Sequence, residues 1–102
     1  MIQDARRAVD DDPRDASARH NLALAYKLGG LEELALEEFA RVTELEPAFG
    51  DAYYEMAIIQ ARSGRRDEAV VTLRRALEVE PDHRRAQQLL ERLGGPPQQA
   101  HA

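Results

Sequence analysis

Residues 13–47 read PRDASARHNLALAYKLGGLEELALEEFARVTELEP, and residues 47–81 read PAFGDAYYEMAIIQARSGRRDEAVVTLRRALEVEP. Laid one over the other, the two stretches keep step from end to end. Pro13, Pro47 and Pro81 recur every 34 residues. With proline near 5% of residues, two further prolines at the required offsets are expected by chance about once in 400 trials. The same period joins Ala18, Ala52 and Ala86, then Leu22, Met56 and Leu90, then Gly30 and Gly64, then Ala35 and Ala69. Phe39 aligns with Leu73, Leu45 with Val79, and Glu46 with Glu80. A fixed period of this length marks a repeat architecture, in which each unit buries its apolar face only by stacking on a neighbour.

Each unit divides into two helices. In the first, Asp15 is the expected N-cap, since its carboxylate can accept from the free amides of a first turn. Ala16–Leu28 is the first helix, with Leu22, Ala25, Tyr26 and Gly29 on one stripe. Gly29-Gly30 supplies the stop, because glycine enters the left-handed region without steric cost. The second helix is expected over Leu31–Glu44, with Leu31, Leu34, Ala35, Phe39, Val42 and Leu45 facing inward and Glu38 at the edge of that face. Pro47 ends it and pushes Glu46 out of helical geometry. The second unit repeats this plan: Asp51–Arg62, a Ser63-Gly64 turn, then Arg66–Val79 with Ala69, Leu73, Ala76 and Leu77 inward.

The flanks are partial units. Residues 1–11 align with a second helix, packing through Ala5, Ala8 and Val9, and residues 83–93 align with a first helix, packing through Ala86, Leu90 and Leu93. The expected organisation is therefore one all-α domain over 1–93. A flanking helix and turn occupy 1–15, the first repeat 16–49, the second 50–83, and a C-terminal capping helix 84–93. Gly94-Gly95-Pro96-Pro97 stops the last helix, and 94–102 is expected to form a disordered tail. Because the first residues align with the middle of a unit, the chain is expected to be a segment of a longer protein.

Composition narrows the function. The 102 residues carry a net charge of −5, with 43% apolar and 32% charged side chains. The acidic excess lies in residues 1–83, while 84–102 set Arg84, Arg85 and Arg92 against Glu91. Three arginines on an acidic body do not make a nucleic-acid footprint. There is no cysteine, which excludes disulfides and thiolate metal sites and fits a reducing compartment, with the cytoplasm as default. No apolar run has the length of a membrane span. Thus neither a nucleic acid nor a membrane is an expected partner.

Catalytic constellations are absent from the pattern. His20, His83 and His101 share no metal-ligand spacing, and His83, after Pro81, reads as a helix-start residue. Asp10–Asp12, Glu32-Glu33 and Glu37-Glu38 fall on turns or outer faces, where nothing pulls paired pKa values apart. Ser17 and Ser63 lack a spaced base, and neither Gly29-Gly30 nor Gly94-Gly95 joins a strand to a helix as a phosphate loop does. No metal or cofactor is expected, and no enzymatic activity.

The units resemble the tetratricopeptide repeat. The first gives Leu22-Ala23-x₂-Tyr26, Ala35-x₃-Phe39 and Pro47, and the second Met56-Ala57-x₂-Gln60, Ala69-x₃-Leu73 and Pro81. Arg19 stands where the family usually has Trp and Gln60 where it usually has Tyr, while Tyr53 fills the Trp position of the second unit. The resemblance implies a right-handed superhelix of stacked antiparallel helix pairs, with a concave groove lined by first helices that takes peptides or partner helices. Carried onto this sequence, the groove positions are His20, Leu24 and Lys27, then Asp51, Tyr54, Ile58 and Arg62, then Arg85, Gln88 and Arg92. Leu24, Tyr54 and Ile58, rimmed by cations, would suit an acidic or carboxylate-bearing segment. The competing reading is that they only pack on neighbouring helices. A subgroup of the family clamps chaperone C-termini with a Lys and an Asn on the first repeat. His20 and Leu24 hold those places here, so that mode is not expected. The resemblance thus implies a protein-interaction scaffold. The alternative is a module that self-associates into a homodimer through Ala5, Ala8 and Val9 or Leu90 and Leu93.

Overall fold

A computed structural model describes residues 1–94 as six helices: α1 (Ile2–Asp11), α2 (Ala16–Leu28), α3 (Glu32–Leu45), α4 (Gly50–Arg62), α5 (Arg66–Val79) and α6 (Arg84–Arg92). Of the expected tail, 95–102 lie outside the described residues.

The helix ends follow local chemistry. Asp15 caps α2 by accepting from the Ala18 amide at 3.2 Å, and His83 caps α6 through Nδ1, which accepts from the Ala86 amide at 3.1 Å. Gly30 and Gly64 hold φ of 79° and 81°. In both turns the next amide reaches back to the helix, Leu31 to the Tyr26 carbonyl at 2.9 Å and Arg65 to that of Gln60 at 2.8 Å. That pairing satisfies carbonyls the helix end leaves free. Asp12, Glu46 and Glu80, each before a proline, are extended, with φ of −146°, −141° and −144°. Proline's ring bars the helical conformation from the residue ahead of it. The expected bounds of α2 and α5 hold, while α3 and α4 shift by one residue.

Packing is sequential: α1 on α2, α2 on α3, and so on to α6. The principal extents are 49 × 25 × 17 Å, as expected of a stack. The core forms two linked clusters. Val9, Leu22, Tyr26, Phe39 and Val42 belong to the first, along with Ala52 and Ile59 of α4. Tyr54 and Ala57 of α4 join Leu73, Ala76, Ala86 and Leu90 in the second. Helix α4 is thus shared between both. Ala23, Ala35, Ala57 and Ala69 are fully covered; only a small side chain lets the paired helices approach closely there.

The inward stripe of α3 is narrower than expected. Ala35, Phe39 and Val42 are fully covered, but Leu31, Leu34 and Leu45 are 44%, 42% and 38% exposed. At 100° per residue, Leu34 and Leu45 lie about a quarter turn from the Ala35–Phe39–Val42 line, beyond the reach of α2 and α4. Leu31 is the N-cap of α3 rather than part of it. Similarly, Ala8 and Gly29 are exposed and Leu77 and Leu93 only half-buried.

The departures from the family pattern are accommodated. Arg19 pairs with Glu38 at 2.8 Å, which keeps Glu38 at the edge of the buried face as expected. Gln60 accepts from the Thr72 hydroxyl at 2.7 Å. Arg19, Tyr53 and Gln87, one repeat apart, each donate to the carbonyl of the proline six residues earlier, at 2.8, 3.3 and 2.7 Å. Three unlike side chains therefore tie each first helix to the turn before it.

Candidate functional site

Three first helices, α2, α4 and α6, lie side by side, and contacts between them define a common face. Lys27 of α2 pairs with Glu55 of α4 at 2.5 Å, with both side chains under one-fifth exposed. Asp51 of α4 accepts from Nε2 of His83 at 2.7 Å and lies 3.8 Å from the Arg85 guanidinium. Arg85 also covers the Tyr54 ring at 4.9 Å, and the His83 ring lies 5.2 Å from Tyr54. Because the His83 Nδ1 accepts a hydrogen bond, its Nε2 carries the proton donated to Asp51 in the neutral ring.

The expected groove residues divide by environment. His20 is half-buried, its ring 5.4 Å from Phe39 and 4.8 Å from Phe49, and its Nδ1 is covered with no partner among the described residues. Burial holds its pKa below the ordinary 6.5, against the opposing pull of Glu55 and Asp51. Leu24 and Ile58 are half-buried, resting on the first and second core clusters. Tyr54 is only 9% exposed. It belongs to the core, walled by His83 and Arg85, and leaves little of the exposed apolar surface expected of it. Arg62, Gln88 and Arg92 are exposed. Among the described residues, neither Arg62 nor Arg92 makes an ion pair, whereas Lys27 and Arg85 are engaged. Lys27, Arg62 and Arg92 also lie in the last turns of their helices, where a cation complements the free carbonyls.

Two participants escape a reading of single helices. Glu55 neutralises Lys27 from the next first helix, and His83 fastens α6 to α4. The only signal for Glu55 is a charge of sign opposite to Lys27, 28 residues ahead. Reading it requires knowing which helices are neighbours. Among the described residues no group of histidine and carboxylate side chains could hold a metal ion, and no helix is long and apolar enough to cross a membrane.

Stacked helix pairs with a continuous face of first helices define an α-helical repeat scaffold. The tetratricopeptide repeat family profile matches residues 32–93. Human FK506-binding protein-like is 34% identical over 79 residues, covering 76% of this chain and 23% of that protein. The chain belongs to the tetratricopeptide repeat family. Among solved structures, YrrB, described as a TPR protein with an unusual peptide-binding site, superposes with a TM-score of 0.82 at 31% identity, over 85% of this chain and 45% of that one. The first TPR of Spaghetti (RPAP3), bound to the HSP90 peptide SRMEEVD, gives 0.84 at 22% identity, over 91% and 74%. The latter likeness shows the fold alone. The chain spans under a quarter of the length of the curated relative. As a member of this family it is a protein-interaction scaffold; such repeats are in general not catalytic.

Proposed function

We propose that the face formed by α2, α4 and α6 binds a segment of a partner protein, with Leu24 and Ile58 as apolar contacts and Arg62 and Arg92 as charge contacts. The observation that carries this reading is the division of charge on that face. Lys27 is paired with Glu55 and Arg85 lies beside Asp51, so Arg62 and Arg92 are the exposed groove cations that make no ion pair among the described residues. A partner carboxylate would find these two exposed and, among the described residues, without an internal competitor. YrrB, at 31% identity, is described as having a peptide-binding site, which supports a peptide as the kind of ligand. The lysine and asparagine of the chaperone clamp are replaced by His20 and Leu24, so the ligand is not taken to be a chaperone C-terminus.

Less supports self-association through the terminal helices. Val9 and Leu90 are buried within the chain, and the outward positions of α1 and α6 include Arg6, Arg7, Asp10, Arg84, Gln87 and Glu91, all exposed.

The test begins with a peptide selected by display on the whole chain. Its affinity is measured by calorimetry against two double variants. Ile58→Ala with Arg62→Ala is expected to weaken binding about tenfold or more, at about 1.4 kcal/mol per tenfold change. Val71→Ala with Arg75→Ala, on the outer face of α5, is expected to leave it unchanged. Equal effects of the two pairs would contradict the groove assignment. Tyr54 is left intact because its ring is part of the core.

A further inference from the structure

The second helices of the stack bury one register of side chains. Ala35, Phe39 and Val42 on α3 and Ala69, Leu73 and Ala76 on α5 are fully covered, because α3 lies between α2 and α4, and α5 between α4 and α6. One repeat earlier the same places hold Met1, Ala5 and Ala8. These are apolar too, but α1 packs on α2 and on no other helix to a comparable extent. Met1 is 77% exposed, Ala8 is exposed and Ala5 half-buried. The apolar surface continues to Leu28, 74% exposed, around a cavity of about 480 Å³ between the first turn of α1 and the last turn of α2. Met1, Ile2, Asp4, Ala25 and Leu28 line it.

The stack shows what covers such a side. Asp4 repeats Glu38, which takes the Arg19 guanidinium of α2 at 2.8 Å. Ala5 repeats Phe39, whose ring lies 5.4 Å from that of His20, also on α2. The register therefore calls for a helix with a cation opposite Asp4, which is exposed and makes no ion pair among the described residues. Size selects the helix. Within the two repeats Ala23 is paired with Ala35 and Ala57 with Ala69, all fully covered, so that small residues let the helices approach closely. Met1 breaks that match, and Ala5 and Ala8 leave open the volume that Phe39 and Val42 fill. A helix with large side chains of its own fits there better than another repeat unit. A second copy fits no better. Its α6 carries Glu91 where Ala23 and Ala57 stand, and Gln87 where Arg19 stands. Docking α6 on α1 would press the Glu91 carboxylate against apolar side chains and offer Asp4 no cation.

We propose that the Met1, Ala5 and Ala8 side of α1 docks an amphipathic helix of a partner protein. Large apolar side chains of that helix lie over Ala5 and Ala8, and an Arg or Lys stands opposite Asp4. Exposed apolar side chains gathered beside a cavity, with an unpaired carboxylate at the rim, suit that occupant.

A displayed library of single α-helices, random along one face, tests the proposal when selected on the whole chain and on its Asp4→Lys variant. The chain is expected to enrich helices with a stripe of large apolar residues flanked by Arg or Lys. On the variant the cation should give way to Asp or Glu. A synthetic copy of an enriched helix should bind Ala8→Arg about tenfold more weakly or worse, and Ile58→Ala with Arg62→Ala equally well. Asp4 and Ala8 are exposed, so both variants should keep the helical circular dichroism of the chain. No enrichment, or one charge preference on both baits, would overturn the proposal. So would binding that is lost with Ile58→Ala and Arg62→Ala but kept in Ala8→Arg, since the helix would then sit in the groove. Sedimentation of the chain alone should show a monomer; a dimer abolished by Ala8→Arg would make a second copy the occupant and overturn the proposal as well.

Discussion

His20 shows how one side chain links fold and surface. Its ring fills space beside Phe39 and Phe49, and burial favours the neutral form despite Glu55 and Asp51 nearby. Its folded pKa lies below the ordinary value of 6.5, so the unfolded chain takes up the proton first as pH falls. The contribution to stability is therefore present above 6.5 and lost as pH drops through the lowered folded value. Between about pH 7.5 and pH 5.5, the thermal midpoint should fall more steeply for the unaltered chain than for His20→Leu; equal slopes would contradict the assignment. Packing gives a second residue-scale contrast. Leu73→Ala, at a fully covered site, should cost about 2–5 kcal/mol in denaturant unfolding. Leu34→Ala, at a position 42% exposed, should cost less than about 1 kcal/mol. Sequence periodicity places both leucines inward. It marks which residues share a side of the helix, but the width of the buried side depends on how far the neighbours wrap it.

Helix boundaries were legible because they are set locally. Asp15, Gly30, Gly64 and the three prolines act within a few residues, and α2 and α5 begin and end where those residues place them. Asp15→Ala should lower stability by about 1 kcal/mol through loss of the Ala18 cap. Gly64→Ala should cost about 1–2 kcal/mol, since φ at that position is 81° and a Cβ is disfavoured there. Both costs can be read from chemical denaturation. What joins one helix to the next was less legible. Arg19, Tyr53 and Gln87 share a contact with the preceding proline carbonyl, but their chemistry is too different for the repeat pattern to reveal it. The pairs Lys27–Glu55 and His83–Asp51 likewise join residues 28 and 32 apart. They become visible only once first helices are known to neighbour first helices.

At the scale of the molecule, stability passes from neighbour to neighbour along the stack. Helix α4 joins both core clusters, whereas α1 and α6 contribute to one each. Native-state hydrogen exchange should therefore be slowest in α3 and α4 and faster in α1 and α6; uniform protection would show a globule without internal hierarchy. The same stacking generates the binding face, which belongs to no single helix. The most direct test is an amide NMR titration of the chain with a peptide selected on it. Shifts confined to the α2, α4 and α6 face, largest around Leu24, Ile58 and Arg92, are the predicted result. Shifts centred on the outer positions of α3 and α5, such as Glu37, Val71 and Arg75, would contradict it.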